Sequence, residues 1–242
     1  MNYVYTIQGG QHVFAYCRPM YRQTSRVRAP KAIPTSLKQE TANMQRRWRK
    51  MLFLAWENFE AGDFFVTLTY DDDHLPPHWR DAEKKMPAYL RKVREARKAL
   101  GLDYRYMYVD EHLHTNGRPH HHMLIKAADG DEKLLRDLWP HGHVEISRIK
   151  PDWRLEPLIN YIAKEETLEG KRAWKASRNI LSPRESIQIV PPSYRLPVPL
   201  GSRPWEKGTA MQYTEAADAC INKDIVQIIL PRKFEYSSLI YT

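Results

Sequence analysis

The stretch EHLHTNGRPHHHMLI, residues 111–125, decides the fold that we predict for this chain. At its centre lies Asn116-Gly117, the dipeptide that most strongly favours a two-residue β-hairpin turn, because a type I′ turn needs positive φ at both central residues. Placing these two residues at the turn centre pairs Glu111 with His122 across the hairpin. The segments on either side are therefore predicted to be neighbouring antiparallel strands.

Three side chains of this hairpin should share one face of the sheet. Successive strand residues point to opposite faces, so Glu111, His120 and His122 lie together, whereas His121 lies on the other side. Opposed residues have Cβ atoms roughly 5 Å apart. Two imidazoles and a carboxylate at that spacing can bind a divalent metal ion. A bulge at Pro119 would change the register, and the alternative interpretation is an ordinary polar stretch beside a turn.

The composition indicates a globular and basic protein. The chain has 242 residues, of which 42% are hydrophobic and 28% charged, which is enough for a substantial core. Its formal net charge is +9 and its sequence pI is about 9.4. This charge favours a polyanionic partner such as nucleic acid, since counterion release drives such binding. The alternative is a basic protein without such a partner.

No feature of the sequence predicts export or insertion into a membrane. No apolar run approaches the roughly 18 residues needed to span a bilayer. The N-terminus lacks the basic-then-apolar order of a signal peptide. The two cysteines, Cys17 and Cys220, do not suggest a disulfide framework. We therefore expect a cytoplasmic protein.

Hydrophobic periodicity predicts alternating helices and strands. The order is helix, strand, helix, strand, strand, helix, strand, helix. Without the first and last helices this is βαββαβ, the ferredoxin-like order. We predict an α+β fold with an antiparallel sheet of four or five strands, flanked by helices mainly on one face. The predicted helices cover about residues 36–59, 81–99, 131–139 and 152–166, and the strands about 64–70, 104–113, 120–126 and 144–149.

Helical spacing assigns inward and outward faces. In the second helix Val93 belongs to the apolar stripe, whereas Arg97 is expected to face outward. In the last helix Ile159 faces inward. Tyr161 and Lys164 are three residues apart, so they are neighbours on one helix face. Taken alone, Tyr161 would be interpreted as a packed core residue.

The chain divides into three predicted regions. Residues 1–36 form an irregular basic N-terminal arm, which either lies along phosphates or is a solvated linker, and in which Val13–Tyr16 could be an edge strand. Residues 37–185 hold the predicted helices and the four strands of the sheet. Residues 186–242 are a proline-rich linker and a C-terminal extension, with Ile187–Val190 as one further candidate strand.

Basic residues concentrate at two places outside the arm. One is the first helix, where they lie mostly outside the apolar stripe. The other follows the last helix, where they are interleaved with a tryptophan, a mix that suits phosphate contacts and base stacking. The candidate DNA-binding residues are Arg46, Arg47, Lys171, Arg172, Trp174 and Arg178.

Three stretches occur in order along the chain: FVTLTY at 65–70, GRPHHHMLI at 117–125 and YIAKE at 161–165. Together they resemble the HUH endonucleases, specifically the rolling-circle replication initiators (Rep proteins) of phages and plasmids. The resemblance covers roughly residues 36–185. In that family a core strand precedes a His–hydrophobic–His motif and a tyrosine followed three residues later by lysine. Here the middle position is His121, which leaves open which two of the three histidines bind metal.

The resemblance implies a reaction and the residues that perform it. His120 and His122 would be metal ligands with Glu111 as the third, Tyr161 the nucleophile and Lys164 its helper. The reaction would nick single-stranded or hairpin origin DNA, leaving a 5′-phosphotyrosine and a free 3′-OH for rolling-circle replication. The implied cofactor is Mn²⁺ or Mg²⁺. The implied partners are origin DNA and the replication machinery of a bacterial host cell, with no membrane.

Other functions fit parts of the same pattern. A single-strand HUH transposase would perform the same chemistry on mobile-element DNA. A non-catalytic nucleic-acid-binding module would use the open sheet face without the three ligands. A zinc hydrolase would use the histidines without Tyr161. Because the motif offers one tyrosine, termination of replication would need a second subunit or the reuse of Tyr161.

Overall fold

The computed structural model describes residues 1–10, 12–19, 37–111, 118–150, 155–162, 174–194, 203–204 and 228–229. Its contacts divide the chain into two compact units. Unit 1 comprises residues 1–57 and 182–242, and unit 2 comprises residues 58–181.

Four helices and ten strands lie in the described parts of the chain. The helices are α1 (Leu37–Asn58), α2 (Trp79–Ala99), α3 (Asp131–Asp137) and α4 (Leu155–Ile162). The strands are β1 (Asn2–Gly9), β2 (His12–Pro19), β3 (Phe64–Thr69), β4 (Tyr106–Glu111), β5 (His120–Ile125), β6 (Val144–Arg148), β7 (Lys175–Ala176), β8 (Arg184–Val190), β9 (Arg203–Pro204) and β10 (Ile228–Ile229). None of the helices described is long and apolar enough to cross a membrane.

Unit 2 is built on a five-stranded sheet in the order β6-β3-β5-β4-β7. Every neighbouring pair in it is antiparallel. Its first four strands in chain order are connected as β3-α2-β4-β5-α3-β6 and lie side by side in the order fourth, first, third, second. This is the ferredoxin-like arrangement, so the predicted α+β class and βαββαβ order are confirmed.

The main core of unit 2 lies between this sheet and the helices α2 and α3. Val66 and Leu68 of β3 are fully buried there, together with Met86 of α2 and Leu135 of α3. Alternation along β3 explains the arrangement, because every second residue points to this face. The other face of the sheet carries Thr67 together with apolar residues, of which Met107 and Leu124 are fully buried.

Arg97 corrects the predicted outward face of α2. It lies four residues after Val93, so it continues the buried stripe, and its side chain is fully buried. The guanidinium forms an ion pair with Asp131 at the start of α3 and donates to the carbonyl oxygen of Asp103 at 2.8 Å. A buried charge is tolerated only when it is paired in this way. Arg97 therefore links α2 to α3.

Unit 1 has a sheet of its own, in the order β8-β1-β2-β10-β9. β1 and β2 form an antiparallel hairpin, and β8 pairs with the other edge of β1. The predicted irregular arm is therefore wrong over residues 2–9 and 12–19, apart from the strand considered at Val13–Tyr16. The candidate strand Ile187–Val190 is confirmed as part of β8. β1 and β8 are far apart in the sequence, and each supplies backbone hydrogen-bond partners to the other. Residues 20–36 lie outside the described parts.

Helix α1 is confirmed as a helix and packs within unit 1. The ring of Phe53 lies 5.1 Å from that of Phe14 on β2, and the ring of Trp56 stacks on His12 at 4.9 Å. Gly9 permits this approach, since a Cβ there would lie 2.9 Å from the carbonyl oxygen of Phe53. The contacts of α1 thus group it with the N-terminal hairpin, and the compact units do not coincide with the predicted boundaries at residues 36 and 185.

Candidate metal and nucleophile site

The three predicted metal ligands converge on one face of the unit 2 sheet. Glu111 ends β4, and His120 and His122 lie at the start of β5; their ligand atoms are all within 4.8 Å of one another. Oε2 of Glu111 is 2.9 Å from Nε2 of His122 and 3.2 Å from Nε2 of His120. The two Nε2 atoms are 3.1 Å apart.

These separations fit a shared metal ion. Donor atoms bound about 2.1 Å from an ion and at right angles to one another lie about 3 Å apart. Glu111, His120 and His122 could therefore hold one divalent ion with further coordination positions for other ligands. Among the residues described, the second H-x-H pair, His141 and His143, is not part of such a group.

The strand pairing differs from the predicted register by two residues. Glu111 lies opposite His120 and not opposite His122. A shift of one residue would send every side chain to the other face, but a shift of two leaves each on its own face. The predicted ligand set therefore shares a face although the predicted register was wrong. The predicted turn at Asn116-Gly117 lies outside the described residues.

His122 is the more enclosed of the two histidines in this group. It is buried, and its ring stacks on that of Phe65 of β3 with centroids 5.5 Å apart. Burial, with a further contribution from the neighbouring His120 and His121, lowers the pKa of His122 to about 3. The imidazole is therefore neutral near pH 7, which is the form that binds a metal ion.

His121 points to the opposite face of the sheet, as predicted. Its side chain is fully buried, with Nδ1 2.7 Å from Oδ1 of Asp110 and Nε2 2.8 Å from Oη of Tyr70. The alternation of the strand thus removes His121 from the metal group. Of the three consecutive histidines, only His120 and His122 meet Glu111.

Tyr161 lies beside the metal group. Its ring centroid is 5.3 Å from that of His122, and 44% of the residue is exposed. Leu155, Ile159 and Ile162 bury the apolar face of α4, and this turns Tyr161 toward the edge of the group. The alternative interpretation of Tyr161 as a packed core residue is wrong. Lys164, its predicted helper, lies outside the described residues.

Residues 63–166 match the family model of the replication-associated protein ORF2. This segment is similar to that family of replication-associated proteins. The match runs from just before β3 to just after α4, so it contains Glu111, His120, His122 and Tyr161. It confirms the resemblance to phage rolling-circle initiators that three short motifs predicted.

A phage replication protein is similar to part of the chain. The chain is 30% identical over 114 residues to the replication-associated protein VP4 of Bdellovibrio phage phiMH2K. The similarity covers 37% of this chain and 35% of that protein, so the chain spans about a third of the length of the relative it matches. No solved structure matches the chain.

The predicted DNA-binding residues are distributed over both units. Arg46 and Arg47 are exposed on α1 of unit 1. In unit 2 Trp174 is half-buried and Arg178 is exposed. Lys171 and Arg172 lie outside the described residues.

Sequence reasoning missed the residues that contact the two buried histidines, His121 and His122. Thr67 lies on β3 opposite His122, and Asp110 and Tyr70 contact His121. The alternation in FVTLTY was the available signal, because it places Phe65 and Thr67 on the ligand face. That alternation identifies Thr67 as a neighbour of His122 only once the strand order, with β3 next to β5, is known.

Proposed function

We propose that this chain nicks single-stranded or hairpin DNA at a replication origin, with Tyr161 as the nucleophile and a divalent metal ion held by Glu111, His120 and His122. One observation carries the proposal: the Tyr161 ring lies 5.3 Å from His122, beside three donors within 4.8 Å of one another. A nucleophile next to a metal group is what transfer of a phosphodiester to a tyrosine requires. The family match supports a role in replication and favours it over transposition.

The reaction exchanges one phosphate ester for another. Oη of Tyr161 bonds to the phosphorus while the bond from phosphorus to the 3′ oxygen breaks. The tyrosine loses its proton and the departing 3′ oxygen gains one, which leaves a 5′-phosphotyrosine and a free 3′-OH. A phenol has an ordinary pKa of about 10, so the nucleophile needs help near pH 7. Lys164 is proposed to stabilise the negative charge that develops.

Glu111, His120 and His122 would hold the ion, which when bound would withdraw charge from the phosphate oxygens and help to orient the phosphorus for in-line attack. The donor set of two imidazoles and one carboxylate suits Mn²⁺ or Mg²⁺, and the imidazoles favour Mn²⁺. The buried, neutral His122 and the buried carboxylate of Glu111 are ready to bind such an ion.

DNA is proposed as the partner because of the charge and the chemistry. The net charge of +9 attracts a polyanion. A scissile phosphate reaches Tyr161 and the metal group most readily from a single strand, since a duplex would hold it outside the site. Contacts to the flanking DNA are assigned to Arg46, Arg47, Lys171, Arg172, Trp174 and Arg178. We place the protein in the cytoplasm of a bacterial host, working with the host replication machinery.

A gel experiment tests the proposal. Labelled single-stranded oligonucleotides that tile the intergenic sequence of the replicon are incubated with Mn²⁺ and protein, then separated under denaturing conditions. Wild type should form a metal-dependent covalent adduct, and Tyr161→Phe should form none. Tyr104→Phe, a change to a tyrosine elsewhere in unit 2, is the matched control and should react like wild type. Absence of any adduct with wild type on all oligonucleotides would overturn the proposal.

A further inference from the structure

A row of four polar side chains lies on the sheet face opposite the metal group. Nζ of Lys175 is 2.7 Å from Oδ2 of Asp110, and the other carboxylate oxygen of Asp110 is 2.7 Å from Nδ1 of His121. Nε2 of His121 is 2.8 Å from Oη of Tyr70. His121 is fully buried and Tyr70 is 2% exposed, so no water competes strongly for the hydrogen bond between these two side chains.

Two members of this row are tied through the backbone to the metal group. Asp110 directly precedes Glu111, and His121 stands between His120 and His122. Asp110 and His121 are also directly opposed across β4 and β5. A bond between them on one face therefore holds Glu111 opposite His120 on the other.

The row selects one of two registers that the hydrophobic pattern alone allows. A shift of two residues keeps every side chain on its face, so burial of the apolar residues discriminates weakly between the two. In the shifted register, with Glu111 opposite His122, Asp110 would lie opposite Met123. Its carboxylate, which is only 14% exposed, would then lose the imidazole as a partner, and this is unfavourable.

We propose that His121 is a positioning residue, which with Asp110 and Tyr70 sets the strand register in which Glu111 meets His120 and His122. The side chain of His121 points away from the metal donors and the nucleophile, so it acts through the strand that carries the ligands. The inference rests on the proposed metal binding, which supplies its readout.

The test measures Mn²⁺ affinity of the full chain by calorimetry, at a temperature where circular dichroism shows each variant folded. Tyr70→Phe removes one oxygen from the row, and His121→Phe removes both of its hydrogen bonds. Tyr89→Phe is the matched control, because its hydroxyl donates to the Leu135 carbonyl at 3.1 Å in the same core without touching the row. Tyr70→Phe and His121→Phe should bind Mn²⁺ about tenfold more weakly than wild type. Tyr89→Phe should bind like wild type.

A rescue variant separates positioning from simple loss of stability. His121→Asn keeps a donor directed toward Asp110, so it should recover part of the affinity that His121→Phe loses. If wild type binds Mn²⁺ and both Tyr70→Phe and His121→Phe bind as tightly as Tyr89→Phe, the positioning role is overturned and the metal site stands. If wild type itself does not bind Mn²⁺, the proposed metal site is overturned, and the positioning role that rests on it falls with it. Should His121→Phe not fold, Tyr70→Phe alone decides the outcome.

Discussion

Oγ1 of Thr67 lies 3.2 Å from Nδ1 of His122, across the pairing of β3 with β5. The contact engages one imidazole nitrogen and leaves Nε2 directed at Oε2 of Glu111, 2.9 Å away. A partner at the second nitrogen of a metal-binding histidine orients the ring and selects its tautomer. Thr67 therefore supports the metal group without belonging to it.

Replacing Thr67 by valine should weaken metal binding while leaving the fold intact. Valine has nearly the same shape but lacks the oxygen, so the His122 ring loses its partner. We expect Mn²⁺ affinity to fall by about tenfold, measured by calorimetry. Thr69→Val is the control, because Oγ1 of Thr69 bonds to the His143 carbonyl and to neither histidine of the metal group. Equal affinities of the two variants would show that Thr67 does not orient the ligand.

Metal binding should also stabilise the fold of wild type. An ion that binds only the folded state adds about 2.7 kcal/mol to the free energy of unfolding at a hundredfold excess over its Kd. We expect Mn²⁺ to raise the melting temperature, EDTA to reverse the effect, and Glu111→Gln to abolish it. Glu145→Gln changes an exposed glutamate on β6 and should retain the shift. A shift that survives in Glu111→Gln would place the metal elsewhere.

Removing one partner of the buried Arg97–Asp131 pair should destabilise unit 2 severely. Both side chains are fully buried, so Asp131→Asn leaves an uncompensated guanidinium between α2 and α3. We expect a loss of about 3–5 kcal/mol in the free energy of unfolding, measured in urea. The double variant Arg97→Met/Asp131→Leu removes both charges and should recover most of that loss. A double variant as unstable as Asp131→Asn would contradict this account.

Lys126 should make a pH-dependent contribution to stability. Burial by itself lowers the pKa of its ammonium, but hydrogen bonds to Glu60 and Asp63 outweigh burial, so the pKa is raised above its ordinary value. A group with a raised folded-state pKa stabilises fully below its unfolded pKa, about 10.4 for lysine, and loses the effect as pH rises through the folded pKa. Lys126→Met should therefore cost about 2 kcal/mol at pH 7.

The difference in the free energy of unfolding between wild type and Lys126→Met should be constant from about pH 6 to 9 and shrink above about pH 10.4. Urea unfolding at several pH values measures it. Lys133→Met is the control, since Lys133 is exposed and pairs only with Asp137 of the same helix among the contacts described. If wild type became more stable relative to Lys126→Met at high pH, the raised pKa assigned to Lys126 would be wrong.

Local patterns were sufficient to predict the elements of the central sheet. The alternation in FVTLTY and HHHMLI determines which side chains share a face, because the period of a strand is two. For the same reason Glu111, His120 and His122 were grouped correctly although their register was off by two residues. The helical spacing of α2 also predicted its core stripe, but the charge of Arg97 concealed that this residue continues the stripe.

Interactions between distant residues decided the rest. β1 lies inside its sheet because β8, about 180 positions later, pairs with the edge of β1 that β2 leaves open. Arg97 is buried because Asp131, 34 residues away, neutralises it. The sequence by itself determined the faces on which Glu111, His120, His122 and His121 lie, since alternation is a local property. Only the tertiary structure decided which ligand lies opposite which, because register depends on partners such as Asp110 and Tyr70 that meet His121 only after the sheet has assembled.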